Sequence, residues 1–220
     1  MPTPQQSQQS AMKCLWILET QLGHQASTLS GKPVDAAGNP IPWYTYPAIE
    51  YLAALDFGGR AVLEWGCGHS TLWWAARAAS VLSVENDPAW HAEVNRQVPA
   101  NAHVSLRTDA GEYVAADPGP NDGRFDVVVI DGRHRRQCAG RAPDLLAPGG
   151  LIVLDNADRH PLTTRLLRDA GLIQIDFNGF GASNAYTWTT SLFLTRDFAF
   201  PRRDENEPPR PIGGLRELDD

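Results

Sequence analysis

Acidic side chains recur through the middle of this 220-residue chain, each at or just beyond the end of a short apolar run: Glu64, Glu85, Asp109, Asp131 and Asp155. The first comes with two glycines, in Ala61-Val-Leu-Glu64-Trp-Gly66-Cys-Gly68-His-Ser70-Thr71. Residues without Cβ let the backbone turn tightly and come close to a ligand. An acid about 20 residues further on, here Glu85 followed by Asn86, is placed to accept hydrogen bonds from ribose hydroxyls at the tip of the neighbouring strand. The chemistry is that of a cradle for a nucleotide-like ligand; the plain alternative is a tight turn followed by a solvated strand end. Thr71 stands where a dinucleotide fingerprint carries the third glycine that serves close packing under a pyrophosphate.

A second group could act on whatever the cradle presents. Asp131 and the pair Asp155-Asn156 supply three oxygen donors at adjacent strand tips, enough to begin a shell for Mg²⁺ or a similar hard cation that would acidify and position a hydroxyl. The alternative is that Asp131 only touches the ligand while Asp155-Asn156 caps the next loop. His134 offers a metal-free route, since an imidazole with a pKa of about 6.5 accepts a proton near neutral pH. His69 and His160 lie at the same edge, and any of the three could serve packing instead. His24, His91 and His103 read as surface residues. Arg133, Arg135 and Arg136 suit a phosphate or carboxylate, or form a solvated first helical turn, the reading favoured for at least two of them.

The elements that must position these groups follow from hydrophobic periodicity. Strands are expected at 60–65, 81–85, 103–107, 125–130, 150–154, 172–177 and 187–195, and helices at 70–79, 88–97, 110–116, 134–146 and 161–170. Val127–Ile130 and Leu151–Leu154 are unbroken apolar runs, as in strands buried on both faces. The loop Asn178–Tyr186 is too short for a crossover helix, so the last two strands should pair antiparallel. The fold class is therefore α/β, a doubly wound, mostly parallel seven-stranded sheet ending in an antiparallel C-terminal hairpin. Residues 1–11 and 199–220 are polar or proline-rich and are expected to be disordered. Residues 12–59 form an N-terminal helical and lid segment, with helices over 12–23 and through Ile49, Leu52 and Leu55, and residues 60–198 form the core domain.

Composition narrows the partners. The formal net charge of −7 argues against nucleic acid and for a small molecule. Cys14, Cys67 and Cys138 are few and scattered, against a disulfide framework or a structural zinc site. No run reaches the roughly 18 apolar residues of a membrane helix and no signal-peptide core opens the chain, so a cytoplasmic location away from membranes is expected. Homo-oligomer formation stays open.

In order and spacing these segments resemble the class I S-adenosylmethionine-dependent methyltransferases, with a Rossmann-like fold, over roughly residues 45–198. Glu64-Trp-Gly66-Cys-Gly68 resembles the family's first motif, Glu85 its ribose acid, Thr108-Asp109-Ala110 its adenine-contacting segment, and Phe125–Gly132 its fourth motif. Leu146–Asp155 resembles the turn and strand that follow. The resemblance implies S-adenosylmethionine as cofactor, contacted by Glu64, Gly66, Gly68, Ser70, Glu85, Asn86, Asp109 and Ala110. The absent third glycine agrees, since this cofactor has no pyrophosphate. Asp131 with Asp155-Asn156 resembles, more loosely, the metal-dependent O-methyltransferases, implying Mg²⁺ held by Asp131, Asp155 and Asn156.

Methyl transfer from a sulfonium chiefly requires alignment and removal of the acceptor's proton. Asp131 and His134 are the catalytic candidates. The aromatic segment Trp43–Tyr46 is expected as a lid, and Phe180, Asn184, Tyr186 and Trp188 as walls for a small organic acceptor such as a sugar, phenol or secondary metabolite. Trp73, Trp74 and Trp90 read as core packing, and Cys67 as a loop residue. O-methylation leads; N-methylation and a catalytically silent cofactor-binding partner are the alternatives.

Overall fold

The computed structural model describes residues 1–204 and 210–215. Seven strands form one sheet: β1 (Ala61–Trp65), β2 (Ser80–Glu85), β3 (Ala102–Leu106), β4 (Phe125–Ile130), β5 (Leu146–Leu154), β6 (Ile173–Gly179) and β7 (Trp188–Leu194). Their order is β3-β2-β1-β4-β5-β7-β6. β1 to β5 run parallel, and β7 is antiparallel to both β5 and β6. This is the expected Rossmann-like sheet with its terminal hairpin.

Alternation along the strands splits the core in two, because successive side chains point to opposite faces. Val62, Val127, Val129, Leu151, Val153 and Leu192 face one layer, with Trp73 and Trp74 of α4 (His69–Ala75) and Ile49 and Leu52 of α3 (Tyr46–Ala53). Leu63, Trp65, Val128, Ile130, Ile152 and Leu154 face the other, with Tyr113 of α6 (Ala110–Ala115), Ala139 and Ala142 of α7 (Arg135–Leu145) and Leu167 of α8 (Pro161–Asp169). Every residue of β1 and of β4 is buried, which is why their sequences are nearly continuous apolar runs. Helix starts carry ordinary signals: Asp87 accepts from the backbone N–H groups of Ala89 and Trp90 ahead of Pro88 in α5 (Pro88–Asn95), and Asp109 does the same for α6.

The strand order reverses between β1 and β4, so their following loops leave toward opposite faces and open a crevice at the carboxyl edge. The two loops touch backbone to backbone there. Gly66 has φ 101°, and a Cβ on it would lie 3.1 Å from Gly132 Cα; one on Gly132 would lie 2.1 Å from the Tyr113 hydroxyl. Only glycine fits at both positions.

Three expectations need correction. Residues 1–11 are not irregular: α1 spans Pro4–Trp16, opened by a Thr3/Gln6 capping box with Pro4 in its first turn, local signals that outweigh polar composition. It passes into a π-helical turn, Ile17–Gln21, so that the helix expected over 12–23 is the end of a longer one; α2 (His24–Ser30), which follows, was not expected. β5 begins at Leu146, not at 150, with its register to β4 shifted between Phe125 and Val127. The tail expected to be disordered over 199–220 is in part packed: Phe200 is buried against Phe57, Arg202 bridges Leu55, and Ile212 N–H donates to Glu50. Residues 205–209 and 216–220 lie outside the described residues.

Candidate active site

The cradle is assembled around Glu64, which is buried at 1% exposure on a strand whose other residues are apolar or aromatic. Its Oε2 accepts from the Thr71 hydroxyl at 2.6 Å and the Ser83 hydroxyl at 2.9 Å, while Gly68 N–H donates to Thr71 Oγ1 at 3.1 Å. Thr71 thus ties the glycine loop, β1 and β2 together, so the residue noted for not being glycine is the loop's buckle. Burial raises the Glu64 pKa, opposed by the hydroxyls of Ser70, Thr71 and Ser83. Among the described residues, Glu64 Oε1 has no hydrogen-bond partner although it is buried. A ligand bearing N–H or O–H donors would satisfy that atom, and S-adenosylmethionine, with its ammonium and ribose hydroxyls, fits.

Glu85 stands beside the loop at the tip of β2. Its Oε1 accepts from the N–H groups of Asn86 and Asp87 at 2.7 and 2.9 Å, which fixes the carboxylate, and its Oε2 accepts from the Cys67 thiol at 3.5 Å. Burial and the two glutamates push the Cys67 pKa up, in keeping with a loop residue and against a nucleophile. Asp109 uses Oδ1 on the N–H groups of Gly111 and Glu112 at the start of α6. Trp90, expected in the core, is 44% exposed; its Nε1–H donates to Cys67 O at 2.7 Å and its ring lies over Gly68. Helical periodicity alone does not reveal this, because the contact depends on how α5 packs back on the loop.

On the other side of the crevice Asp131 and Asp155 follow the paired residues Ile130 and Leu154, so they stand side by side at adjacent strand tips. They line a cavity of about 370 Å³ with Trp43, Asn156, Arg159, Asn184, Tyr186 and Trp188. Asp155 Oδ1 accepts from Trp188 Nε1–H at 2.9 Å and the Thr190 hydroxyl at 2.6 Å. Burial pushes the Asp155 carboxyl up to about 6, against the pull of those two donors. Asp131 is raised well above the ordinary carboxylate range by burial and then by the charge of Asp155, with Arg135 opposing both.

Arg135 is the residue whose role the sequence left undecided. Its Nη2 donates to Asp131 O at 2.6 Å and Oδ1 at 3.0 Å, and its Nη1 to Asp155 O at 2.5 Å and Asn156 Oδ1 at 3.1 Å. His134 precedes it at φ 53°, a left-handed turn that swings the first residue of α7 back over the strand tips. Arg133 and Arg136 are exposed, as a solvated helix start would have them.

This arrangement corrects the metal reading. Asp131, Asp155 and Asn156 do meet at one edge, but the Arg135 guanidinium lies among them, bonded to Asp131 Oδ1 and Asn156 Oδ1, while Asp155 Oδ1 is held by Trp188 and Thr190; a hard cation needs six or more oxygen ligands and would have to share this space with a positive charge. No group of three or more His, Cys, Asp or Glu side chains among the described residues is placed to hold a metal ion. The residues present do not fit Mg²⁺.

The histidines are also redistributed. The His134 ring meets Tyr113 edge-on at 5.8 Å, and the residues lining the cavity do not include it. His69 Nδ1 donates to Pro33 O at 2.7 Å, holding the N-terminal segment on α4, and burial lowers the His160 pKa. His24, read as a surface residue, is buried and bonds Gly181 O at 3.1 Å. The lid segment is pinned rather than loose: Thr45 N–H donates to Thr190 Oγ1, Thr45 Oγ1 to Phe177 O, and Tyr46 N–H to Phe180 O. Phe180 lies in a separate apolar groove with Leu15 and Leu18. Tyr44 is fully buried between the two halves, accepting from Trp74 Nε1–H, and burial with the charges of Glu64, Asp131 and Asp155 raises its pKa.

Comparison with known proteins bears on the whole edge. Residues 63–157 match the family model described as a methyltransferase domain. A search of curated proteins finds no match. Among solved structures, precorrin-6y C5,15-methyltransferase from Geobacter metallireducens GS-15 aligns at TM-score 0.54 and 14% identity, covering 68% of this chain and 86% of that one. The N-methyltransferase NodS from Bradyrhizobium japonicum WM9 aligns at TM-score 0.51 and 16% identity, covering 66% and 91%. At these identities the likeness is one of fold. Residues 63–157 thus match a methyltransferase domain, and the sheet around them has the fold of these solved methyltransferases.

Proposed function

We propose that the protein methylates a hydroxyl group of a small organic acceptor, a sugar, phenol or secondary metabolite, with Asp131 as the proton acceptor. The observation that supports this is the Asp131–Asp155 pair at one wall of an aromatic-lined cavity, across the sheet's switch point from the glycine loop. The bound cofactor supplies an electrophilic methyl group; the protein must hold the acceptor in line and take its proton. Trp43, Tyr186 and Trp188 offer flat apolar faces, and Asn156 and Asn184 offer polar groups, a combination suited to a ring that carries hydroxyls. Burial and the neighbouring Asp155 raise the proton affinity of Asp131, which strengthens it as a base while Arg135 keeps its carboxylate aimed.

The test is calorimetric titration with S-adenosylmethionine, followed by detection of S-adenosylhomocysteine release over sugars, phenols and matched amines. Turnover confined to hydroxyl acceptors is expected. Turnover of the amines alone overturns O-methylation, and no cofactor binding at about millimolar concentration overturns the transferase reading itself.

A further inference from the structure

We propose that the Arg135 guanidinium is a built-in cation that replaces a divalent metal at the tips of β4 and β5, so that acceptor positioning in this protein is independent of divalent ions. The inference rests on the transferase reading for its purpose; its geometry stands alone. Guanidinium carries five N–H donors in a fixed planar fork. Here all of its nitrogens are engaged at this one edge: Nε donates to Gly132 O at 3.0 Å, Nη2 to both the backbone and carboxylate oxygens of Asp131, and Nη1 to Asp155 O and Asn156 Oδ1. One positive charge therefore bridges the tips of two strands and orients two of the three side chains whose oxygens a metal would have used.

Two features make this a fixed device and not a surface ion pair. The Arg135 side chain is 15% exposed, and the left-handed His134 at φ 53° leaves its stem directed at the strand tips. Asp155 Oδ1 is held separately, by Trp188 and Thr190. A divalent ion entering here would meet a fixed like charge, and would have to break these bonds to reach the Oδ1 atoms of Asp131, Asp155 and Asn156. The charge balance also differs from that of a metal site. Two carboxylates face the single positive charge of Arg135, where a divalent ion would carry two. Arg135 is a positioning residue: it acts on the acceptor through Asp131 and Asn156.

Mn²⁺ titration of the full chain, followed by electron paramagnetic resonance, tests this directly. Wild type should bind no Mn²⁺ up to about 1 mM, the weak end for carboxylate sites. Arg135→Met, which keeps stem length without charge, should expose the oxygens and gain one bound Mn²⁺, lost again when Asp155→Asn is added. Wild-type binding of one Mn²⁺ that Asp131→Asn removes would show that Arg135 swings aside, and it overturns the proposal. A folded Arg135→Met that gains no Mn²⁺ overturns it too. If circular dichroism shows Arg135→Met unfolded, the wild-type titration decides alone. S-adenosylmethionine binding, measured on the same samples, separates a failure here from a failure of the transferase reading.

Discussion

Glu64 and Asp131 end neighbouring parallel strands of one sheet, yet they are held in opposite ways. Glu64 is surrounded by hydroxyls, with Thr71 and Ser83 on one oxygen and, among the described residues, no ion pair. Asp131 is clamped by a guanidinium and faces a second carboxylate. The first arrangement closes within one βαβ unit, from β1 to β2. The second draws on Trp43 ahead of the sheet, on α7, on the tip of β5 and on β7. The proposed cofactor half is thus built within one local unit, while the proposed acceptor half is built from elements far apart in the chain.

The strongest test of this division is Asp131→Asn. The amide oxygen can still accept from Arg135, so the geometry should survive while the base is lost. Turnover should fall by about 10²–10⁴-fold, the usual worth of a general base, with the affinity for S-adenosylmethionine unchanged by calorimetry. A variant that retains wild-type turnover would place the base elsewhere on the edge.

Thr71→Val probes the other half with a smaller expected effect. It leaves Gly68 N–H without its acceptor, removes one donor from Glu64 and ends the contact between the Thr71 and Ser83 hydroxyls. Leaving a buried polar group unpaired costs about 1–3 kcal/mol, which urea unfolding would read. Cofactor affinity should weaken alongside, with the acceptor KM unmoved. A change in acceptor KM without a change in cofactor affinity would break the claim that the halves are separable.

Most of the sheet was legible because its signals are local. Val127–Ile130 and Leu151–Leu154 are long enough to be recognised as buried strands, and the short loop before Trp188 forces an antiparallel return. The cradle was legible for the same reason: Glu64, Gly66, Gly68 and Glu85 lie in a single unit. Arg135 could be placed near the edge, but its choice between solvent and the strand tips depends on the left-handed turn at His134, which a side chain other than glycine rarely adopts and sequence does not announce. Trp188 and Thr190 could not be matched to Asp155, since that pairing needs the register of β7 on β5. His24 was misplaced because its partner, Gly181 O, lies on the distant hairpin loop.

The finest test lies in pH, where the two aspartates are coupled. Burial lifts the Asp155 carboxyl to about 6 from an ordinary value of about 3.9, so between those limits the folded protein holds a proton that the unfolded chain has released. Stability carried by this group is therefore lost as pH rises through the window, the reverse of a salt-bridged aspartate. Asp155→Asn keeps an oxygen for Trp188 and Thr190 and should flatten the fall in thermal midpoint between about pH 4 and 6, though only in part, because Asp131 is raised in the same direction. The same substitution removes a charge that raises Asp131, so the acid limb of kcat/KM should move to lower pH. A flattened melting profile without that movement would mean that Asp131 does not set the limb, and the acceptor half would have to be rebuilt around another base.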